Sequence, residues 1–171
     1  LSRYLRTEVR ELHKDGIRLR FIGERYRFSD RLRRLMEQSE ILTASNTVST
    51  VVIALDYGGQ WDIAQAARTL AIQVRSGTLQ PEDITPELID KYVSISDLPK
   101  PDLCIRTGGD ARISNFMLWQ FAYTELYFTD ILWPDFTESE FACALDEYSR
   151  RERRFGIREP DDLVAGLRYN A

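Results

Sequence analysis

Residues 101–136 read PDLCIRTGGDARISNFMLWQFAYTELYFTDILWPDF, and the rest of the chain is organised around this stretch. It opens with a short apolar run at 103–105, which is typical of a buried strand. The run ends abruptly in a Gly-Gly turn that is rich in hydrogen-bond donors. Because glycines let backbone amides approach a ligand closely, a strand that leads into such a turn indicates an anion site. The residues of this predicted site are Arg106, Gly108, Gly109, Arg112 and Ser114.

The side chains of this turn allow two interpretations. Arg106 and Arg112 supply planar, fork-shaped donors that suit phosphate oxygens. Ser114 supplies a hydroxyl that can either cap a helix or bind a phosphate. The simpler interpretation is a strand, a tight turn and a helix cap, with both arginines on a solvated loop. These residues alone leave the choice open.

Apolar periodicity predicts alternating helices and strands along the rest of the chain. The predicted strands cover residues 17–22, 48–57 and 103–105. The predicted helices cover residues 1–15, 29–44, 61–74, 86–92 and a segment that begins with the capping pair Thr137 and Glu140. A strand, a Gly-Gly pair and a helix in succession form the βα unit of an α/β protein. We therefore predict an α/β fold with a central, mostly parallel sheet flanked by helices, in which 17–22, 50–56 and 102–106 lie side by side.

Length and composition narrow the class of protein. A chain of 171 residues can bury a substantial core, and we predict a single domain over residues 1–171. The net charge of −4 argues against nucleic acid as the main partner. Cys104 and Cys143 lie in apolar surroundings and are expected to be reduced core residues. With no visible signal peptide or bilayer-spanning run, we predict a cytoplasmic location that still permits contact with a membrane surface.

The stretch at 102–136 resembles the C-terminal signature of the cis-prenyltransferases, the undecaprenyl diphosphate synthase family. That signature runs roughly DL-x-IRTGGE-x-R-x-SNF-x-LWQ-x-AY-x-EL-x-F, then WPDF, and nearly every fixed position matches. Asp110 departs from it, because the family usually has Glu there. The resemblance covers about residues 1–156 and leaves 157–171 as a tail.

A second segment, IALDYGGQWDI at 53–63, resembles an A-x-NYGGR pattern of the same family. Asp56 and Gln60 depart from that pattern, whereas the YGG core is kept. We interpret this core as a structural turn near the active-site face, and a direct ligand contact is the competing interpretation.

The resemblance implies condensation of isopentenyl diphosphate with an allylic diphosphate such as farnesyl diphosphate. The implied product is a long-chain polyprenyl diphosphate, undecaprenyl diphosphate, the lipid carrier for cell-wall peptidoglycan synthesis. Mg²⁺ and donors must neutralise the leaving diphosphate, while a second anion site holds isopentenyl diphosphate. The residues assigned to that second site are Arg106, Gly108, Gly109, Arg112, Ile113 and Ser114. Glu125 matches a family carboxylate that helps to hold Mg²⁺, and an ion pair with an arginine is the competing interpretation.

The family also has an N-terminal MDGNGRWA-like motif, whose Asp is central to Mg²⁺ and diphosphate chemistry, and a segment near FSSEN. Neither string occurs in these 171 residues. We therefore expect the first strand region and the catalytic Asp to be missing, and this chain alone to be inactive.

Two other functions are weighed against this one. The first is a non-catalytic partner subunit of a heteromeric cis-prenyltransferase, and retention of Arg106, Arg112, Ser114 and Glu125 argues against it. The second is a nucleotide-binding loop, which is disfavoured because neither G-x-x-x-x-G-K-[ST] nor G-x-G-x-x-G occurs.

The C-terminal stretch RRERRFG at 150–156 carries the last family motif. Arg154 and Gly156 match an R-x-G motif that in the family reaches across a dimer toward the partner's diphosphate site. The competing interpretation is a solvated basic helix end. Apolar residues within 116–128 and in the helix after Thr137 offer material for a two-fold interface, so a homodimer is predicted.

Overall fold

The computed structural model describes residues 2–151. Within that range the fold is α/β, with parallel strands flanked by helices, as predicted. The chain divides into two compact units. The first comprises residues up to 99 together with 114–119, and the second contains 100–113 and resumes at residue 120.

The first unit opens with two short helices, α1 (Ser2–Thr7) and α2 (Val9–Lys14), where one helix was predicted. The path stays helical across the junction, because Glu8 N donates to Tyr4 O at 2.8 Å. The helical segment ends before Gly16, as predicted, and the φ of +69° at this residue is the left-handed conformation that favours glycine after a helix.

Strands β1 (Ile17–Ile22) and β2 (Ser49–Ala54) pair in parallel over their whole length. Both were predicted, although β2 is shorter than the predicted 48–57. Helix α3 (Asp30–Thr43) supplies the crossover that a parallel pair requires, and it packs against β1. One cluster of buried apolar residues in this unit comprises Leu5, Val9, Leu19, Phe21 and Met36, and Ala66, Leu70, Val93 and Met117 are buried as well.

One edge of β1 is covered by side chains from α3 and from the turn that follows it. The bonds run from Leu19 N to Thr43 Oγ1 at 3.0 Å, from Phe21 N to Glu40 Oε1 at 2.8 Å, and from Asn46 Nδ2 to Ile17 O at 2.8 Å. Backbone groups that leave water need partners. These three side chains therefore satisfy backbone groups of β1 that β2 does not reach.

Two further helices complete the first unit, α4 (Gly59–Arg75) and α5 (Pro86–Asp90), with a 3₁₀ turn at Pro81–Asp83 between them. Thr85 caps α5 by accepting a hydrogen bond from Leu88 N at 3.3 Å, which confirms the predicted helix start. Helix α4 begins two residues before the predicted 61–74.

In the second unit, strands β3 (Leu103–Arg106) and β4 (Glu125–Phe128) pair in parallel. β4 was not predicted. Parallel pairing is confirmed, but the strands form two two-stranded sheets, β1 with β2 and β3 with β4. Within residues 2–151 the strand that pairs with 103–106 is therefore β4. The prediction that this strand lies beside 17–22 and 50–56 is wrong, because those two segments pair only with each other.

Helix α6 (Glu138–Ser149) follows a 3₁₀ turn at Trp133–Asp135. Both cysteines are free thiols, as expected, but only Cys104 on β3 is partly buried. The prediction of a core position is wrong for Cys143, because the face of α6 that carries it is exposed. Burial raises the pKa of the Cys104 thiol, an effect that Arg106 partly offsets. None of the helices described here combines the length and the apolarity needed to cross a membrane.

Candidate functional site

In the second unit, a carboxylate joins the two arginines of the predicted anion site. Asp110 Oδ2 accepts from Arg106 Nη2 at 2.8 Å and from Arg112 Nη2 at 2.7 Å. Arg106 Nη1 also donates to Arg112 O. Arg106 is the last residue of β3, so the cluster lies at the carboxyl end of a parallel strand, the edge at which open α/β sheets bind ligands. Two positive charges and one negative charge leave this cluster with a net charge of +1, which favours an anion.

The Gly-Gly turn within the cluster has both glycines in left-handed conformations, at φ +86° for Gly108 and +80° for Gly109. Their amides do not point toward open space. Gly108 N donates to Ile131 O at 2.9 Å and Gly109 N donates to Thr129 O at 3.0 Å. The prediction that these amides face a ligand is therefore wrong, because they anchor the turn to the chain after β4. The predicted contacts to an anion therefore fall to the arginine side chains rather than to these amides.

Ser114 belongs to the first unit and is exposed. No helix follows it within the described residues 115–124, so the helix-cap interpretation is wrong. Ser114, Asn115 and Met117 instead have left-handed φ values of +45°, +64° and +46°. Such values are tolerated by Asn but costly for Ser and Met, and burial of Met117, which is 7% exposed, helps to offset that cost.

Asn115 explains why the chain takes this course. Asn115 O accepts from Gly59 N at 2.6 Å, and Asn115 Oδ1 accepts from Gln60 N at 2.9 Å. Two amides at the start of α4 that have no partner inside the helix are thereby satisfied. The substrate role predicted for Ser114 stays a prediction. Ile113 lies in the second unit, follows Arg112 in sequence and is half-buried.

The YGG turn at the end of β2 is tightly packed. A Cβ at Gly58 would lie 2.7 Å from Asn115 Nδ2, and a Cβ at Gly59 would lie 2.7 Å from Leu118 N. Cβ atoms in folded proteins essentially never make contacts that short. A side chain at Gly59 would have to displace the backbone at Leu118, whereas one at Gly58 would have to displace the side chain of Asn115. The structural role assigned to this turn from sequence agrees with its packing.

A buried carboxylate that the sequence analysis missed supports the same turn. Asp62 is 2% exposed and accepts from Tyr57 Oη at 2.8 Å, from Ser94 N at 2.9 Å and from Ser94 Oγ at 2.8 Å. It lies in the first turn of α4, where the helix dipole also favours a negative charge. Its position in the first turn after a Gly-Gly helix start was the available sequence signal.

A cleft of about 370 Å³ opens at the carboxyl ends of β1 and β2 in the first unit. Trp61 Nε1 donates to Glu24 Oε2 at 3.0 Å across the cleft, and Arg27 Nε lies 3.5 Å from Asp56 Oδ2. Hydrogen bonding to Tyr26 and the charge of Asp56 raise the pKa of Arg27. The residues that line this cleft are Glu24, Tyr26, Arg27, Asp56, Tyr57, Gly58 and Trp61.

Glu125, the first residue of β4, pairs with an arginine. Arg151 Nη1 donates to Glu125 Oε2 at 3.0 Å and to Leu126 O at 2.9 Å, while Arg151 Nη2 donates to Glu147 Oε1 at 2.5 Å. Hydrogen bonds to Glu147 and then Glu125 raise the pKa of Arg151. The ion pair that competed with the metal interpretation is thus present in the structure.

The chemistry of Glu125 fits Mg²⁺ in part. Mg²⁺ commonly takes one or two protein carboxylates together with substrate phosphates and water, so a single glutamate is a suitable donor. Among residues 2–151, no group of three or more His, Cys, Asp or Glu side chains is placed to hold a metal ion. Arg154 and Gly156, assigned to the cross-subunit motif, lie outside the described residues.

Comparisons with known proteins agree with this architecture. A prenyltransferase family model described as undecaprenyl diphosphate synthase matches residues 1–156. The ditrans,polycis-undecaprenyl-diphosphate synthase ((2E,6E)-farnesyl-diphosphate specific) of Escherichia coli K12 is 53% identical over 161 residues, which cover 94% of this chain and 64% of that protein. The protein of the same name from Pseudomonas syringae is 51% identical over 164 residues, covering 96% of this chain and 65% of its own length.

Among solved structures, lavandulyl diphosphate synthase from Lavandula x intermedia, in complex with dimethylallyl diphosphate, superposes with a TM-score of 0.87 at 38% identity. The match covers 91% of this chain and 68% of that one. The chain therefore spans a little under two thirds of the length of the bacterial relatives named above. With a family model matched over 1–156 and relatives above 50% identity, the chain belongs to the undecaprenyl diphosphate synthase family of prenyltransferases.

Proposed function

We propose that this chain is part of a cis-prenyltransferase that condenses isopentenyl diphosphate with an allylic diphosphate. The observation that carries the proposal is the Arg106–Asp110–Arg112 cluster at the carboxyl end of β3. The names of the bacterial relatives support farnesyl diphosphate as the allylic substrate and undecaprenyl diphosphate as the product. That product would be the lipid carrier for peptidoglycan synthesis.

Arg106 and Arg112 bind the diphosphate of isopentenyl diphosphate, which is retained through the reaction. Bidentate, charge-assisted hydrogen bonds from guanidinium groups fix both the position and the orientation of such an anion. Holding the homoallylic substrate in place converts the bond-forming step into an effectively unimolecular one. Gly108 and Gly109 shape the turn, and Ile113 and Ser114 complete the proposed substrate contacts.

Glu125 is proposed to hold one Mg²⁺, which when bound neutralises charge on the diphosphate groups. Because Arg151 already pairs with Glu125, that ion pair has to loosen before the carboxylate accepts a cation. The printed sequence contains no DGN motif, so we expect the 171 residues by themselves not to elongate an allylic primer.

The proposed enzyme is a cytoplasmic homodimer that releases its product at a membrane surface. Exposed apolar side chains on α6, Phe141 and Leu145, support an interface in the second unit. Arg154 and Gly156 are proposed to reach the diphosphate site of the partner subunit.

The test is steady-state kinetics on the full-length protein that carries this sequence. Arg106→Ala and Arg112→Ala should each raise the KM for isopentenyl diphosphate about ten- to a hundredfold, since one charge-assisted hydrogen bond contributes roughly 1.5–3 kcal/mol. Arg33→Ala is the matched control, because Arg33 makes an exposed ion pair with Asp30 inside α3. Unchanged KM values in both cluster variants would refute the diphosphate role.

A further inference from the structure

The arginine cluster contains a carboxylate that the proposed function leaves unexplained. Asp110 places one oxygen, Oδ2, between the two guanidinium groups, at 2.8 Å from Arg106 Nη2 and 2.7 Å from Arg112 Nη2. An anion among groups that bind diphosphate would be expected to compete with the substrate. The geometry of the Asp110 contacts indicates a different role.

Asp110 is held by a rigid turn. Gly108 N and Gly109 N are bonded to Ile131 O and Thr129 O, and Thr129 N donates to Arg106 O at 3.0 Å. These backbone bonds tie the turn to the chain after β4 on both sides of the glycines. Asp110 directly follows this turn, so its carboxylate, on a side chain that is 42% exposed, gives the longer arginine side chains a nearby anchor point.

The arginines need such a point, and Arg112 needs it most. The side chain of Arg112 is 67% exposed, whereas that of Arg106 is 26% exposed. A long, exposed side chain loses rotamer freedom when it binds a ligand, and that loss weakens binding. Two guanidinium groups that converge on one point also repel each other unless an anion lies between them.

We propose that Asp110 is a positioning residue, which holds Arg106 and Arg112 together so that both engage the diphosphate of isopentenyl diphosphate. This inference rests on the proposed function. The carboxylate removes one unit of charge from the cluster but leaves it with a net positive charge, so attraction for the substrate persists. Pre-ordering the two arginines reduces the entropy lost on binding.

The experiment replaces the carboxylate by its neutral isostere, Asp110→Asn, in the full-length protein that carries this sequence. We expect the KM for isopentenyl diphosphate to rise about tenfold, the effect of losing about 1.4 kcal/mol of binding energy, while kcat stays within about twofold. Titration calorimetry with isopentenyl diphosphate should show the same loss of affinity without turnover. Asp110→Glu restores the charge and should return KM to within about threefold of wild type.

Each alternative has its own result. If Asp110 only competes with substrate, Asp110→Asn lowers KM, and this overturns the inference, as does an unchanged KM. Failure of Asp110→Glu to recover binding also overturns it. Asp110→Ser is measured alongside, and loss of folding in both uncharged variants assigns Asp110 to the fold and overturns the positioning role.

The arginine variants separate this inference from the proposed function. If Arg106→Ala and Arg112→Ala raise KM while Asp110→Asn does not, only the positioning role fails. If none of the three changes KM, the proposed function fails with it.

Discussion

Two Gly-Gly pairs end two parallel strands of this molecule, and they are glycine for different reasons. Gly58 and Gly59 follow β2, and a Cβ at either would lie 2.7 Å from atoms of the 115–118 segment. Gly108 and Gly109 follow β3 at φ +86° and +80°, and a Cβ at Gly108 would meet nothing within 4 Å. The first pair satisfies a packing requirement, whereas the second satisfies a backbone requirement.

We call the turn at Gly58 and Gly59 the closed turn, because the positions of its Cβ atoms are occupied. We call the turn at Gly108 and Gly109 the open turn, because a Cβ at Gly108 would meet nothing within 4 Å. The positions that a Cβ of Gly58 or Gly59 would take are filled by the protein itself, although Gly58 also lines the cleft of about 370 Å³ at the carboxyl ends of β1 and β2. Around Gly108 the space is open and the neighbouring side chains are charged. A Gly-Gly pair after a strand can therefore reflect either packing or backbone conformation, and the dipeptide alone does not distinguish the two.

The largest expected effect is at the closed turn. Gly59→Ala should destabilise the protein by about 3 kcal/mol, because the added methyl would overlap Leu118 backbone and side-chain atoms. Urea unfolding followed by circular dichroism measures the change. Gly77→Ala is the control, since Gly77 has φ +75° but an uncrowded Cβ position. Equal losses in the two variants would contradict the packing explanation.

The second effect is at the residue that closes this turn. Asn115→Ala should cost about 2 kcal/mol, from the lost bond to Gln60 N and from placing Ala at φ +64°. Asn115→Gly removes the same bond without the conformational strain, so it should cost about 1 kcal/mol. The difference between the two unfolding free energies isolates the strain. If Asn115→Gly is as destabilising as Asn115→Ala, the strain component is absent.

At the open turn the expected loss is smaller. Gly108→Ala should cost about 1 kcal/mol, because left-handed strain is partly offset by lower entropy of the unfolded chain. Gly108→Asn should cost less, since Asn tolerates this conformation. Chemical denaturation of both variants against wild type provides the measurement. A loss comparable with that of Gly59→Ala would show that the open turn is also packed.

The smallest effect concerns reactivity on the strand that leads into the open turn. Burial raises the pKa of Cys104, so its reactive thiolate forms only at higher pH than in an ordinary cysteine. Iodoacetamide labelling across a pH series, read by mass spectrometry, should modify the exposed Cys143 first and Cys104 only at higher pH. Cys143→Ser removes the fast site and provides the control. Faster labelling of Cys104 at neutral pH would contradict its burial.

Sequence patterns predicted the helices and strands that depend on residues close together in the chain. The alternation of β1 depends on residues a few positions apart. So do the caps of α3 and α5, in which Ser29 accepts from Leu32 N and Thr85 accepts from Leu88 N. β4 was missed because its four residues adopt a strand only by pairing with β3. The family signature indicated Arg106 and Arg112, and the structure brings them together.

The remaining features depend on contacts that sequence spacing does not reveal. The bridge through Asp110 requires a left-handed turn that returns the carboxylate to Arg106. The bond between Asn115 and Gln60 joins residues 55 positions apart. The pairing of Glu125 with Arg151 joins residues 26 positions apart, and the magnesium role of Glu125 stays a prediction beside it.

The side chains that cover one edge of β1 also limit where another strand can join this sheet. Thr43, Glu40 and Asn46 occupy backbone groups that an incoming strand would need. Uncovered edges recruit strands from other molecules and seed aggregates, and native proteins commonly protect them. Here the protecting side chains come from α3, which also contributes Met36 to the core, and from the turn that follows α3. An additional strand can therefore pair with this edge of β1 only if these three hydrogen bonds break.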